Sequence, residues 1–176
     1  MAPETTLRLI LGDQLNSRHR WFRRTRGDVV YTLMEVRQET DYVVHHIQKV
    51  AGFFGAMRRF AAFLTDQGHR VIYLRLDDPR NEQDFEANLR RLIQSEKATR
   101  FEYMLPDEYR LDRRLADLAD RLPVSTAAVD SEHFLTLRHD LEDMFRGKKR
   151  YLMESFYRRM RRQHAILMEG DRKSVV

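Results

Sequence analysis

Five short runs of apolar residues recur along the chain, with longer amphipathic segments between them. Runs of this kind, rich in β-branched and aromatic side chains and bounded by turn residues, predict strands. They occupy residues 7–11, 29–34, 70–76, 100–104 and 123–129. The first three lead directly into Gly12-Asp13, Glu35 and Asp77-Asp78, so each of these predicted strands ends at a polar loop.

Apolar positions that recur every three or four residues predict helices between and after the strands. The patterns cover residues 43–67, 82–96, 111–121 and 132–166. Gly68 is a plausible stop for the first helix, and Gly147 divides the last segment into two helices. This alternation predicts an α/β fold: a Rossmann-like, doubly wound, about five-stranded and mostly parallel sheet flanked by helices. We expect an α/β domain over residues 1–131 and C-terminal helices over 132–176.

The composition restricts the chemistry available to the chain. Its 176 residues are 42% hydrophobic and 34% charged, which is typical of a globular domain. The absence of cysteine excludes disulfides, thiolate metal sites and an iron–sulfur cluster held by this chain. No apolar run approaches the length of a membrane span, and the N-terminus lacks the features of a signal peptide. We therefore expect a cytoplasmic protein without membrane attachment.

The net charge of +5 is unevenly distributed. Residues 146–162 contain many arginines and lysines against the single acid Glu154, and the loop 18–26 is also rich in arginine. Such segments can bind nucleic-acid phosphates or an acidic partner, or they can be solvated surface. Trp21, inside the basic loop, can stack on a base or pack against the domain, and packing is the safer interpretation.

The loops after the first strands are the best candidates for a binding site. In doubly wound sheets, ligands bind at the carboxyl ends of the strands where the strand order reverses. Gly12 allows another group to approach the backbone, and Asp13 and Gln14 can hydrogen-bond a polar heterocycle. The same segment can equally be an ordinary turn. It lacks the glycine spacing of a dinucleotide fingerprint and the Gly-Lys-Ser/Thr of a phosphate-binding loop.

A second polar cluster surrounds the start of the long helix and contains Glu35, Glu39, His45, His46 and Lys49. His45 and Lys49 lie four residues apart on one helical face, whereas adjacent histidines are poorly placed to chelate one metal. Ligand contacts, helix capping and surface roles all fit this cluster. The acid pairs 77–78 and 107–108 are typical of turns and caps beside proline. No nucleophile motif is present, and nothing in the sequence supports independent catalysis.

Several segments together resemble one family in their order and spacing. They are Leu9-Ile10-Leu11-Gly12-Asp13-Gln14-Leu15, Glu35, Tyr42-Val43-Val44-His45-His46, Phe53-Phe54-Gly55-Ala56-Met57-Arg58, Pro106-Asp107-Glu108-Tyr109-Arg110 and the segment from Met153 to Arg162. The chain resembles the deoxyribodipyrimidine photolyase-related proteins, which include the iron–sulfur bacterial cryptochromes and the prokaryotic (6-4) photolyases. The resemblance spans nearly the whole chain, and the segment from Met153 is its most specific element.

The resemblance implies a domain that binds an antenna chromophore, usually 6,7-dimethyl-8-ribityllumazine. FAD and a [4Fe–4S] cluster are then expected only in a separate C-terminal half, where the reduced flavin drives repair of damaged DNA or signalling. By position, the chromophore pocket is expected to involve Leu11, Gly12, Asp13, Gln14, Leu15, Met34, Glu35, Glu39 and Phe53. The aromatic ring of Phe53 can either narrow this pocket or stack on the chromophore.

The sequence departs from the family pattern after Leu167-Met168, where the family usually continues into the flavin-binding half. We therefore expect a domain without its own flavin electron source, which by itself performs no repair and meets damaged DNA only through a larger protein. Leu152, Phe156 and Met160 are expected to expose apolar surface that promotes self-association. The alternative hypothesis is a nucleic-acid- or protein-binding module on a degenerate photolyase scaffold.

Overall fold

The structure, a computed structural model, describes residues 4–37, 41 and 43–168. The strands are β1 (Thr5–Leu9), β2 (Val29–Met34), β3 (Arg70–Leu74), β4 (Ala98–Met104) and β5 (Ser125–Val129). The helices are α1 (Ile47–Asp66), α2 (Phe85–Ser95), α3 (Tyr109–Arg121), α4 (Asp140–Phe145) and α5 (Met153–His164), with a 3-10 helix at Arg20–Phe22. The chain divides into two compact units, one ending at His133 and the other beginning at Phe134.

Within the described residues, one sheet of five parallel strands has the order β3-β2-β1-β4-β5. The chain adds strands on one side of β1 and then crosses to the other side, which is the doubly wound arrangement. The predicted fold class is thus confirmed. β1 ends at Leu9 rather than at residue 11, although Ile10 N still donates to Thr32 O at 3.0 Å.

The strand β2, which lies between β3 and β1, explains why two layers of helices are needed. All of its residues are buried, so both faces of the strand must be covered. Val30 and Met34 pack into one core cluster with residues of α2 and α3. Tyr31 and Leu33 pack into a second cluster with residues of α1. The alternating directions of side chains along a strand separate the two clusters.

Helix α1 begins later than its apolar pattern predicts. The pattern starts at residue 43, but His46 has an extended backbone and its Nδ1 accepts a hydrogen bond from Gln48 N at 3.2 Å. This side chain caps the first turn, so the helix begins at Ile47. The predicted stop is confirmed, because Gly68 follows the helix with a φ of +84° that favours glycine.

The arginine-rich loop 18–26 is fixed to the domain by its interior aromatic residues. Trp21 is buried, as the packing interpretation predicts, and the guanidinium of Arg8 lies 4.7 Å from the centroid of its ring. His19 is fully buried, its Nδ1 accepts from Trp21 N at 3.2 Å, and its Nε2 lies 3.0 Å from Asp130 O. Tyr31 donates its hydroxyl to Trp21 O at 2.7 Å.

Protonation of His19 is expected to destabilise the fold. Burial lowers the pKa of His19 below its ordinary value of 6.5, so the folded state favours the neutral ring. The unfolded chain then binds the proton more readily, and stability falls as the pH drops below 6.5. Free energies of unfolding at pH 5.5 and 7.5 should differ less in His19→Gln than in wild type. His139→Gln is the control, because the side chain of His139 is exposed; an equal change in both variants would contradict the assignment.

The unit that begins at Phe134 contains α4 and α5. Gly147, with a φ of +74°, separates the two helices, so the predicted division near this glycine is confirmed. Leu152 is exposed, whereas Phe156 and Met160 are only partly so. Self-association through these residues remains a prediction. None of the helices in the described ranges is both long enough and apolar enough to cross a membrane.

Candidate functional site

A pocket of about 230 Å³ lies at the carboxyl ends of the strands. Its wall is mostly apolar and includes Leu11, Met34, Phe53, Phe54, Met57 and Leu111. Charged and polar side chains are fewer: Asp13, His45, Lys49, Glu108 and Arg110. An apolar wall with a few polar groups is the usual composition of a site for a small organic ligand.

The sheet topology explains where this pocket forms. β2 and β4 lie on opposite sides of β1. The loop after β1 leads towards β2, so it diverges from the loop after β4 at the strand ends. Gly12 and Asp13 come from the loop after β1, whereas Glu108 and Arg110 follow β4. The pocket therefore lies at the position that the strand-end argument predicts.

Asp13 is the acid of the β1 loop at this pocket. Burial raises the pKa of its carboxyl despite partial exposure of the side chain, and the carboxylates of Asp107 and Glu108 raise it further. A hydrogen bond with its own backbone and the proximity of His133 oppose this rise. Asp13 lines the pocket, where its carboxylate can accept a hydrogen bond from a ligand N–H or hydroxyl.

The remaining charged groups are held by local contacts. Glu108 caps α3, because its carboxylate accepts from the backbone N–H groups of Arg110 at 2.9 Å and Leu111 at 3.0 Å. The capping role expected for this acid is confirmed. Lys49 Nζ lies 3.2 Å from His45 Nδ1. The expectation that the two share a helical face is wrong, because His45 precedes the cap of α1 and only Lys49 lies in the helix.

Glu35 lies outside the pocket wall and is fully buried. Arg58 donates to both of its carboxylate oxygens, Nε to Oε1 at 2.6 Å and Nη2 to Oε2 at 2.8 Å. Tyr73 donates its hydroxyl at 2.6 Å, and Leu76 donates its backbone N–H at 2.8 Å. The carboxylate is thus saturated by protein donors and fixes α1 to the ends of β2 and β3.

Gln14 also lies outside the wall, but it joins the two loops that form the pocket. Its Oε1 accepts from Leu11 N at 3.0 Å, and its Nε2 donates to the carbonyls of Met104 at 3.1 Å and Leu105 at 3.4 Å. These bonds connect the loop after β1 to the loop after β4. Gln14 therefore holds the two loops of the pocket together without lining it.

Among the residues predicted for the site, the structure brings five together in the pocket wall: Leu11, Gly12, Asp13, Met34 and Phe53. It places Gln14 and Glu35 in hydrogen-bond networks of the protein and packs Leu15 against a core cluster. Glu39 lies outside the described residues. We expected Gln14, Leu15 and Glu35 to line the pocket. They do not, because their side chains contact residues that are distant in sequence.

Sequence reasoning missed several wall residues, among them His45 and Lys49 around the start of α1 and Arg110 in the first turn of α3. Lys49 and His45 were grouped with the acids but not assigned to the pocket. Arg110 was named only within the segment Pro106-Asp107-Glu108-Tyr109-Arg110 of the family resemblance. The four-residue spacing of His45 and Lys49 was the available signal, because the two side chains do meet although His45 lies before α1. For Arg110 the signal was its position just after a predicted strand end.

The described residues contain no group of three or more histidines and acids arranged to hold a metal ion. The described wall of the pocket also contains no serine, threonine or cysteine. Its side chains can hold a flat heterocycle between apolar groups and hydrogen-bond its polar edge. This arrangement suits binding and orientation of a ligand.

The sheet order and the strand-end pocket define a doubly wound α/β domain. The family model for deoxyribodipyrimidine photo-lyase-related protein matches residues 8–175, so the chain belongs to that family. The chain is similar to a protein of Agrobacterium fabrum called (6-4) photolyase, with 34% identity over 165 residues. The match covers 93% of this chain and 32% of that relative, so the chain spans about a third of the relative's length. The family resemblance predicted from the sequence is confirmed.

Proposed function

We propose that this chain is an antenna domain that binds 6,7-dimethyl-8-ribityllumazine in the strand-end pocket. The observation that carries this proposal is the pocket itself, at the switch point of a photolyase-related fold, with an apolar wall and Asp13, Lys49 and Arg110 at its polar positions. The apolar wall suits the faces of a pteridine ring. The carboxylate and the cations suit its N–H, carbonyl and ribityl hydroxyl groups.

The wider activity rests on the same proposal. In a full-length protein, the antenna would absorb blue or near-ultraviolet light and transfer the excitation to FAD in another domain. That domain would also hold the [4Fe–4S] cluster, since this chain has no cysteine to bind it. The outcome would be light-dependent repair of damaged DNA or blue-light signalling. Energy transfer requires a bound and oriented chromophore, and the apolar wall and polar groups of the pocket support this role.

Replacing Asp13 by asparagine should weaken lumazine binding by about tenfold, because a hydrogen bond to a charged acceptor contributes about 1.5–3 kcal/mol. The purified chain is titrated with 6,7-dimethyl-8-ribityllumazine while its absorption and fluorescence are followed. Asp77→Asn is the matched control, since Asp77 follows β3 at the same edge of the sheet but does not line the pocket.

Saturable binding by wild type, weakened in Asp13→Asn and unchanged in Asp77→Asn, is the expected result. Failure of the folded wild-type chain to bind lumazine would overturn the antenna proposal. Circular dichroism spectra of the three proteins establish that each is folded. Glu39 is also predicted to contact the chromophore but lies outside the described residues. The Glu39→Ala variant is titrated with lumazine in the same way.

A binding-module function has one specific observation in its favour. The loop 18–26 exposes three arginines, Arg18, Arg23 and Arg24. None of them forms an ion pair with a residue that the structure describes. Arginines presented on a fixed loop can contact phosphates. Steeply salt-dependent binding to duplex DNA, without lumazine binding, would favour this second function.

A further inference from the structure

Phe53 occupies the space that Gly12 leaves open above the β1 loop. A Cβ atom built on Gly12 would lie 2.6 Å from Phe53 Cζ and 2.7 Å from Met57 Sδ. Its distance to Phe53 Cε1 would be shorter still. Real Cβ atoms do not approach other atoms so closely, so glycine is required with these neighbours in place. A glycine at a strand end can let a ligand approach the backbone closely. At Gly12 the ring of Phe53 takes that space instead.

Phe53 differs from the other large side chains of α1 in this wall. Phe54 and Met57 are buried members of a core cluster, whereas Phe53 remains 40% exposed and is absent from that cluster. Its ring lies 6.5 Å from the ring of Phe54, measured between centroids, and borders the pocket. Phe53 can thus be shortened without opening the core, which is not true of Phe54 or Met57.

The size of the pocket makes this ring decisive for ligand choice. With Phe53 in place the pocket measures about 230 Å³, which is below the range of about 300–1,000 Å³ found for most ligand sites. Removal of one six-membered ring from the wall adds room for about one further fused ring. A rigid aromatic wall at close contact excludes a larger ring system by steric overlap.

We propose that Phe53 is a size filter that admits a bicyclic ring system and excludes a tricyclic one carrying the same polyol chain. The inference rests on the proposed function, because it concerns the ligand of the same pocket. Phe53 then acts by limiting the space above Gly12, and not by providing a surface on which the ligand stacks. These two roles predict opposite effects when the ring is removed.

The test compares two fluorescent ligands, 6,7-dimethyl-8-ribityllumazine and riboflavin, which share the ribityl chain and differ by one fused ring. Wild type should prefer the lumazine by at least about tenfold, because even one extra methylene group in a hydrophobic pocket changes selectivity by about 10–200-fold. Phe53→Ala, and more weakly Phe53→Leu, should raise riboflavin affinity by about tenfold or more. The change in lumazine affinity should be smaller, so the ratio of the two dissociation constants reverses or approaches one.

Phe63→Ala provides a matched control for this comparison. Phe63 lies on the same helix and is also 40% exposed, but it does not line the pocket. Its replacement should leave both affinities unchanged. Circular dichroism and thermal unfolding of each variant establish that the comparison is made between folded proteins.

The contact with Gly12 supplies an independent readout. Gly12→Ala should weaken lumazine binding in wild type, because the new Cβ forces the Phe53 ring into the pocket. The same replacement should have a smaller effect in the Phe53→Ala background, so the two changes are non-additive. Additive effects would show that the ring and the glycine act separately and would overturn the filter.

The outcomes separate the filter from the function on which it rests. Lumazine binding by wild type with an unchanged ligand ratio in Phe53→Ala overturns the filter alone. Equal loss of both ligands in Phe53→Ala also overturns it, since that result identifies a stacking surface. Failure of wild type to bind lumazine overturns the proposed function together with the filter, whatever Phe53→Ala binds. A shift of the ratio towards riboflavin, confined to the Phe53 variants, supports the filter.

Discussion

Glu35→Ala should lower the free energy of unfolding by about 3 kcal/mol, the low end of the range of about 3–5 kcal/mol for breaking a buried ion pair. The replacement removes the acceptor for the bidentate Arg58 guanidinium, the Tyr73 hydroxyl and the Leu76 N–H. The low end applies because the side chain of Arg58 is 44% exposed and regains water, whereas Glu35 is fully buried. Urea denaturation of both proteins measures the difference.

Glu86→Ala is the matched control for this prediction. Glu86 also accepts from two arginines, Arg90 and Arg121, but all three side chains are substantially exposed. Exposed ion pairs contribute about 0–1 kcal/mol each, so this variant should lose far less stability. A similar loss in Glu35→Ala and Glu86→Ala would contradict the role of burial.

The pH dependence of the unfolding free energy should report on the same hydrogen bonds to Glu35. Burial by itself would raise the pKa of Glu35, but the hydrogen bonds from Arg58, Tyr73 and Leu76 outweigh burial and lower it below the ordinary value of 4.5. The stabilisation is therefore fully present above pH 4.5 and is lost as the pH falls through the lower, folded-state pKa. The stability difference between wild type and Glu35→Ala should shrink over that acidic range.

Gln14→Ala should lower the free energy of unfolding by about 2 kcal/mol and weaken lumazine binding at least about tenfold. Each buried polar group left without a partner costs about 1–3 kcal/mol, and water that enters the vacated space limits the total. The affected groups are Leu11 N–H and the carbonyls of Met104 and Leu105. Loss of these bonds separates the two loops that form the pocket, so binding falls although Gln14 does not line it. Denaturation and lumazine titration measure the two effects.

Gln14→Glu distinguishes the hydrogen bonds from simple packing, because the two side chains have nearly the same size. An ionised carboxylate would face the Met104 and Leu105 carbonyl oxygens, so this variant should be less stable than Gln14→Ala at pH 7. Burial and the facing carbonyl oxygens raise the pKa of the new carboxyl, and its protonated form can donate to one carbonyl, so stability should recover as the pH falls towards 5. Gln48→Glu, at an exposed position, should show no comparable recovery.

Much of the fold was predictable because the residues that become buried recur along the chain in patterns typical of strands and helices. The entirely apolar run 29–34 predicted a strand covered on both faces, and it is the buried strand β2. Periodic spacing predicted each α-helix between the strands, though not the 3-10 helix at Arg20–Phe22, and Gly68 marked the end of α1. The start of α1 was predicted too early, because the cap formed by His46 depends on backbone conformation and not on apolar spacing.

The candidate site was predictable in position but only partly in composition. Parallel strands bring their carboxyl ends to one edge, so the sequence order of strands and loops was sufficient to select Gly12, Asp13 and Met34. Polar residues in the same loops were assigned to the ligand as well. Glu35 and Gln14 instead meet Arg58 and the Met104 carbonyl, which lie 23 and 90 residues away in sequence.

The sequence by itself determined the doubly wound α/β class, the family and the edge of the sheet at which a ligand would bind. These follow from periodic burial, short connections and local motifs, which are properties of neighbouring residues. Only the tertiary structure decided which polar side chains face the pocket and which ones stabilise it. It also placed the Phe53 ring on Gly12, because a contact between a loop and a helix depends on side-chain direction after the elements have packed.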